Sequence, residues 1–148
     1  MIPEEIKEVL DRHPHWINKD VDLRWADLGG VCLGWAKNFF VPMACSTEGS
    51  FIAFKKVKSF IIKLEIPADA RRLSATTEKC RCDKAKVLEI QNLDGSNSGR
   101  NQIINDNYVT TVYTVGETVF PDSFDENRWN ECSHGIHFFV NRDTAVRY

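Results

Sequence analysis

Residues 61–90 read IIKLEIPADARRLSATTEKCRCDKAKVLEI, and the way this stretch divides decides the fold. Ile61, Ile62, Leu64 and Ile66 form a β-branched, apolar run closed by Pro67, which has no N–H to give a ladder and commonly ends a strand. Lys63 and Glu65 interrupt the run at period two, as expected where one face of a sheet is packed and the other is wet. The spacing predicts a strand over Phe60–Ile66. Ala85, Val87 and Ile90, with Leu88 on the other parity and Lys84, Lys86 and Glu89 as polar partners, predict a second strand.

Between these strands, residues 69–84 carry Arg71, Arg72, Lys79, Arg81 and Lys84 among Ser74, Thr76 and Thr77, against only three acids, Asp69, Glu78 and Asp83. Guanidinium forks and hydroxyl donors both pair with oxyanions. Arg72, Ser74, Thr76, Lys79, Arg81 and Lys84 are therefore the candidate donors of an anion site. The plain alternative is a solvated loop joining two strands. Flat apolar surfaces on which a base could stack are offered by Tyr113, Trp129, Phe138 and Tyr148, although such side chains more often fill a core. His137, set between apolar neighbours in GIHFFV (135–140), reads first as a core-bonded histidine and completes the candidate ligand set.

At 148 residues the chain is read as a single domain over 1–148, with a leader over 1–36 and a main domain over 37–148. A net charge of −2 excludes a broad duplex-binding surface, which needs an excess of Lys and Arg on one face. No stretch approaches the ~20 apolar residues of a membrane span. The N-terminus, MIPEEIKEVL, is acidic and amphipathic rather than signal-like. Both point to the cytoplasm. Cys32, Cys45, Cys80, Cys82 and Cys132 are an odd count without an export signal, so reduced thiols are expected.

Along the chain, Pro3, Ile6, Val9 and Leu10 predict a helix over 3–12. From Val21 a five-residue pattern sets small or branched residues at 21, 26, 31 and 36 and Leu at 23, 28 and 33, as in a pentapeptide-repeat stub. Phe51, Ile52, Phe54 and Val57 predict a strand. Residues 92–99 read as a polar turn, and 108–114 as a strand continued by Val115, Val119 and Phe120 after Gly116. Residues 121–130 read as irregular, GIHFFV as a strand, and 143–148 as a terminal helical turn capped by Asn141 or Asp143. The expected class is α+β, with a mixed or mainly antiparallel sheet, an N-terminal helix and the short repeat stub.

Two groups of residues have the types that site chemistry requires. Cys80, Cys82 and Cys132 with His134 or His137 could in principle assemble zinc, but C-x-C is a weak spacing beside the usual knuckle. Cys132 or Cys80 beside a histidine could serve as a nucleophile, yet residues adjacent in sequence are rarely arranged as a triad. No catalytic residue, metal or cofactor is assigned from the sequence.

GSFIAFKK (49–56), KLEIPADARR (63–72), SATTEKCRCDKAKVLEI (74–90), YTVGE (113–117) and FDENRWNECSHGIHFFVNRDTAVRY (124–148) together resemble an uncharacterised domain of phage and large-virus proteins that often follows pentapeptide repeats. The resemblance transfers no catalytic residue. It differs at Leu73, Thr77 and Glu78, where that domain has Ser, Gly and Arg, which changes the local charge. With the residue types above, it implies a non-enzymatic, viral-type binding protein for a small phosphorylated or nucleotide ligand. One such ligand is a host nucleotide immune signal, for example a cyclic (oligo)nucleotide, held as by a sponge in the host cytosol. The competing expectation is a protein-interaction module docking on a viral or host partner, and an ADP-ribosyltransferase-like or Cys/His enzyme stands further off. A homo-oligomer with the site at its interface fits the same residues.

Overall fold

The computed structural model describes residues 42–107, 109–130 and 132–148. The expected helix over 3–12 and the five-residue pattern over 21–36 lie outside these residues. The described chain runs β1 (Phe51–Val57), β2 (Phe60–Ile66), β3 (Arg72–Ser74), β4 (Cys80–Cys82), β5 (Ala85–Asn92), β6 (Gln102–Asn105), β7 (Thr111–Thr114), β8 (Thr118–Val119), β9 (Ile136–Phe138) and α1 (Arg142–Arg147). The strands form a four-stranded sheet in the order β1-β2-β5-β8, a three-stranded sheet β3-β4-β9 and the two-stranded hairpin β6-β7.

Every one of these pairings is antiparallel. The expected α+β class, with a mixed or mainly antiparallel sheet and an N-terminal helix, is thus corrected: the described residues form antiparallel sheets with one short C-terminal helix. The difference arises in residues 69–84. Their cations read as a solvated connection, whereas Arg72–Ser74 and Cys80–Cys82 are strands of three residues each, too short for a period to show.

The β1–β2 pairing runs from Phe51↔Ile66 to Val57↔Phe60, closed by a two-residue turn in which Lys58 takes a positive φ of 56°. In β5 the register shifts, with Lys63 opposite Glu89 but Leu64 opposite Val87. Leu88 is the extra residue of a bulge, which lets Val87 and Ile90 both face inward despite their opposite parity.

The main core gathers Ala53, Val57, Ile62, Leu64, Ile66, Val87 and Ile90 with Cys80, Cys82, Ile136 and Phe138 of the three-stranded sheet. A second, smaller cluster of Ile61, Phe139 and Ala145 packs α1 on the outer face. The sheets are joined at one bridge, where Phe54 and Phe139 exchange backbone hydrogen bonds of 2.7 and 2.8 Å. Asn141 caps α1, its side chain accepting from the Asp143 N–H, and Lys56 Nζ donates to the Val146 carbonyl at the other end. No helix among the described residues is long and apolar enough to cross a membrane.

Candidate functional site

Residues of β3, β4 and β9 alternate between two faces. Cys80 and Cys82 are fully buried on the core side. Arg81, on the other face, is aligned with Leu73 in β3 and His137 in β9. Residues 122–130 and 132–135 cover this face and are gathered around one guanidinium. Arg81 Nη1 donates to the carbonyls of Asp125 and His134, both at 2.8 Å, and Nη2 to those of Asn127 at 3.1 Å and Asn130 at 2.9 Å. Burial pushes the Arg81 guanidinium below its ordinary value, with the charges of Asp125 and Cys132 opposing. For the Asp125 carboxyl, burial acts upward, but donors from Asn130, Ser133 and the Asn127 N–H, with Arg81 nearby, hold it below the usual carboxylate range. Gly135 enters the same packing at φ 147°, where a Cβ would lie 3.1 Å from Phe124 Cδ2 and 3.2 Å from Arg81 Cβ.

Two further arginines are used in the same way. Arg72 donates from Nε to the Ala70 carbonyl, from Nη1 to Gly49 and from Nη2 to Pro67 and Ala68, with its guanidinium over the Phe51 ring. Arg128, fully buried, donates to the carbonyls of Ser74 and Ala75 and lies 4.8 Å from the Trp129 ring centroid. Burial pushes Arg128 down to about 10, opposed by Cys45 and Cys80. These cations hold the fold's own backbone oxygens, which would be costly to bury unpaired.

A different group of side chains reaches the surface beside this face. Lys79 Nζ is 2.9 Å from the Tyr148 hydroxyl and 5.2 Å from the centroid of its ring. Cys132 Sγ is 3.9 Å from the same ammonium. Tyr148 is 70 % exposed and leans on Phe139 at 5.1 Å. Glu78 and Thr144 close the neighbourhood, Thr144 Oγ1 donating to Glu78 Oε2 at 2.8 Å. Behind it, Lys55 shares the inward parity of Ala53 and Val57 on β1 and donates to the His137 carbonyl at 3.0 Å. Burial, with Lys79 adding to it and Cys82 opposing, pushes Lys55 down to about 8.

Residues 41–145 match a family of unknown function, DUF5758. The chain belongs to this family. No curated protein and no solved structure matches it. The DUF5758 span contains Lys55, Lys79, Arg81, Arg128 and His137 and stops short of Tyr148.

Of the donors expected from the sequence, this DUF5758 chain sets Arg81 and His137 opposite each other, with Trp129 on the covering segment between the Asn127 and Asn130 carbonyls that Arg81 holds, and places Lys79 against Tyr148. The others are placed elsewhere. Arg72 is enclosed by carbonyls. Ser74 faces inward, its hydroxyl accepting from the Ala44 N–H at 2.9 Å. Thr76 is half-buried, and its Oγ1 has no hydrogen-bond partner among the described residues. Lys84 pairs with Asp69 at 2.7 Å. Tyr113 is 2 % exposed in the main core, where burial pushes its phenol up. Cys80 and Cys82 face the core while Cys132 is exposed, so the ligands weighed for zinc do not converge, and no group of three metal-type ligands is found among the described residues.

Sequence reasoning passed over Lys55 and Arg128. The inward parity of Lys55 was legible in FIAFKKV; Arg128, in a stretch read as irregular, carried no signal. A separate cleft of about 260 Å³, lined by Leu88, Ile90, Asn97, Arg100 and Val115 among others, shares none of these residues.

Proposed function

We propose that the domain binds a small phosphorylated ligand of the nucleotide class, without chemistry, where Lys79 and Tyr148 meet beside the Arg81–His137 face. The observation that carries this reading is the contact of an ammonium with an exposed aromatic ring and its hydroxyl, 2.9 Å from nitrogen to oxygen. A cation and a hydroxyl suit a phosphate, and an exposed ring suits a base, each such stack contributing about 1–3 kcal/mol. Arg81 serves the site by fixing the covering segment rather than by touching the ligand. The resemblance to a phage and large-virus domain extends the reading to sequestration of a host nucleotide signal, such as a cyclic (oligo)nucleotide, in the cytosol. Titration of the chain with a nucleotide panel, followed by recovery of the ligand, tests it: saturable binding with the nucleotide returned intact is expected, and a hydrolysed or modified product contradicts it.

One observation favours docking on a protein partner instead. On the β6-β7 hairpin, Ile104 and Val112 face each other across the strands while 44 % and 43 % exposed, with Val109 beyond them at 49 %. That reading expects Ile104→Asp to abolish function while leaving nucleotide affinity unchanged.

A further inference from the structure

The cleft of about 260 Å³ lies between β5 and the loop that follows it, and shares no residue with the Lys79–Tyr148 surface. Its apolar wall follows from the register shift in β5. A bulge re-aims a side chain out of the strand's alternation. Leu88, the extra residue between the Lys63↔Glu89 and Leu64↔Val87 pairs, is half-buried and lines the cleft together with half-buried Val115. The facing wall, residues 97–101, is fastened to β5 by Ser98, whose N–H and hydroxyl both donate to the Ile90 carbonyl, at 3.2 and 2.5 Å. At its far end the Asn101 carbonyl accepts from the Val115 N–H at 2.8 Å. Both walls are therefore set by the fold itself.

Two opposite charges line this cleft. Arg100 holds its guanidinium 4.6 Å from the centroid of the Phe60 ring, a stack that orients the planar fork without using its N–H donors. Among the described residues no carboxylate pairs with it, whereas Arg71 pairs with Asp83 and Glu126, and Arg72, Arg81, Arg128 and Arg142 are taken up by carbonyls. Glu89 comes from β5, its Oε2 accepting from Gln91 Nε2 at 3.1 Å. Lys63 stands opposite Glu89 in the register, and among the described residues no ion pair joins them.

A simple carboxylate would pair with Arg100 and be repelled by Glu89; a simple amine would meet the reverse. A molecule carrying both charges close together satisfies both, and an apolar group beside them removes Leu88 and Val115 from water. The volume is below the roughly 300–1,000 Å³ of sites for drug-sized ligands, so the ligand is small. An α-amino acid has this combination around one carbon. We propose that the cleft binds a free apolar α-amino acid, Arg100 donating to its carboxylate, Glu89 accepting from its ammonium, and Leu88 and Val115 packing against its side chain. This site is independent of the nucleotide reading and stands or falls separately.

Titration of the isotope-labelled full chain with L-leucine, L-methionine and L-phenylalanine, followed by amide NMR shifts, tests it. Saturable shifts centred on residues 88–90, 97–101 and 115 are expected for at least one of the three, with glycine and L-glutamate about tenfold weaker or more. Glu89→Gln and Arg100→Gln each lower affinity for the amino acid about tenfold or more. The analogues separate the two charges. 4-Methylpentanoate, which is leucine without its amine, binds more weakly than leucine and equally to wild type and Glu89→Gln; 3-methylbutylamine, which lacks the carboxylate, does so to wild type and Arg100→Gln. No saturation by about 10 mM of all three amino acids, shifts confined to other residues, or glycine bound as tightly as leucine overturns the proposal. The wild-type analogue series decides the matter even if a variant folds poorly.

Discussion

Arg81 and Asp125 meet through the backbone rather than through opposite charges: Arg81 Nη1 donates to the Asp125 carbonyl at 2.8 Å, while the Asp125 carboxylate accepts from Asn130 Nδ2 at 2.9 Å and Ser133 Oγ at 2.7 Å. One guanidinium therefore holds four carbonyls of the covering segment, and the carboxylate fastens that segment to itself. Arg81→Ala takes the guanidinium donors from all four carbonyls, of which only those of Asn127 and His134 keep a backbone N–H, from Asn130 and Asp125, at a cost of about 3 kcal/mol. That corresponds to a fall in Tm of roughly 10 °C for a domain of this size. Arg81→Lys restores only part of it, since an ammonium cannot reproduce the planar fork. Thermal unfolding of both variants, with limited proteolysis of residues 122–135, checks this.

The strands β1, β2 and the start of β5 were legible because Ile62, Leu64 and Ile66 alternate with Lys63 and Glu65 against one packed face. The bulge at Leu88 was visible only as a parity break. Strands β3 and β4 were not legible, because a buried Arg held by carbonyls has the same letter as an exposed Arg awaiting an anion. In the sequence alone Arg72 and Arg81 therefore look like ligand donors. Their satisfaction by the carbonyls of Gly49, Pro67 and Asn127 is a tertiary fact that no local pattern carries. Of the site, Lys79 and His137 were legible as residue types, and Tyr148 as a stacking surface. Their meeting depends on β9 pairing with β4.

Gly135 occupies a position where φ is 147° and Phe124, Arg81 and the Cys82 carbonyl all crowd the space of a Cβ. Gly135→Ala is expected to cost about 1–3 kcal/mol from backbone strain and displacement of the Arg81 stem. Gly116→Ala tests the strain alone, since its φ of 89° is also left-handed but its Cβ would meet nothing within 4 Å. Denaturant unfolding of the pair should show Gly135→Ala as the more destabilised.

Lys55 sets a pH dependence whose sign can be worked out. Its folded-state value is about 8 against 10.5 in the free side chain. Below pH 8 both states are protonated, so the cost of burying the charge is fully present. Between about pH 8 and 10.5 the unfolded chain binds more protons than the folded one, and stability therefore rises with pH. The gain from Lys55 is at most roughly 3 kcal/mol, taking about 1.4 kcal/mol per unit. Lys55→Met should flatten the rise. Chemical denaturation of both proteins at pH 7.5 and pH 9.5 measures the difference, and equal slopes would remove Lys55 as the cause.

The proposed nucleotide-binding surface at Lys79 and Tyr148 is tested by thermal unfolding of the chain against mono-, di- and cyclic nucleotides, including cyclic dinucleotides, repeated with Lys79→Ala and Tyr148→Ala. A ligand at 1,000 times its Kd stabilises by about 4 kcal/mol, a Tm rise of more than 10 °C at roughly 4 °C per kcal/mol. Such a rise is expected for one nucleotide class, with the ligand recovered unaltered and affinity lowered about tenfold or more in each variant while the unliganded Tm stays near wild type. A flat panel at millimolar nucleotide, or a shift that both variants retain in full, would contradict it.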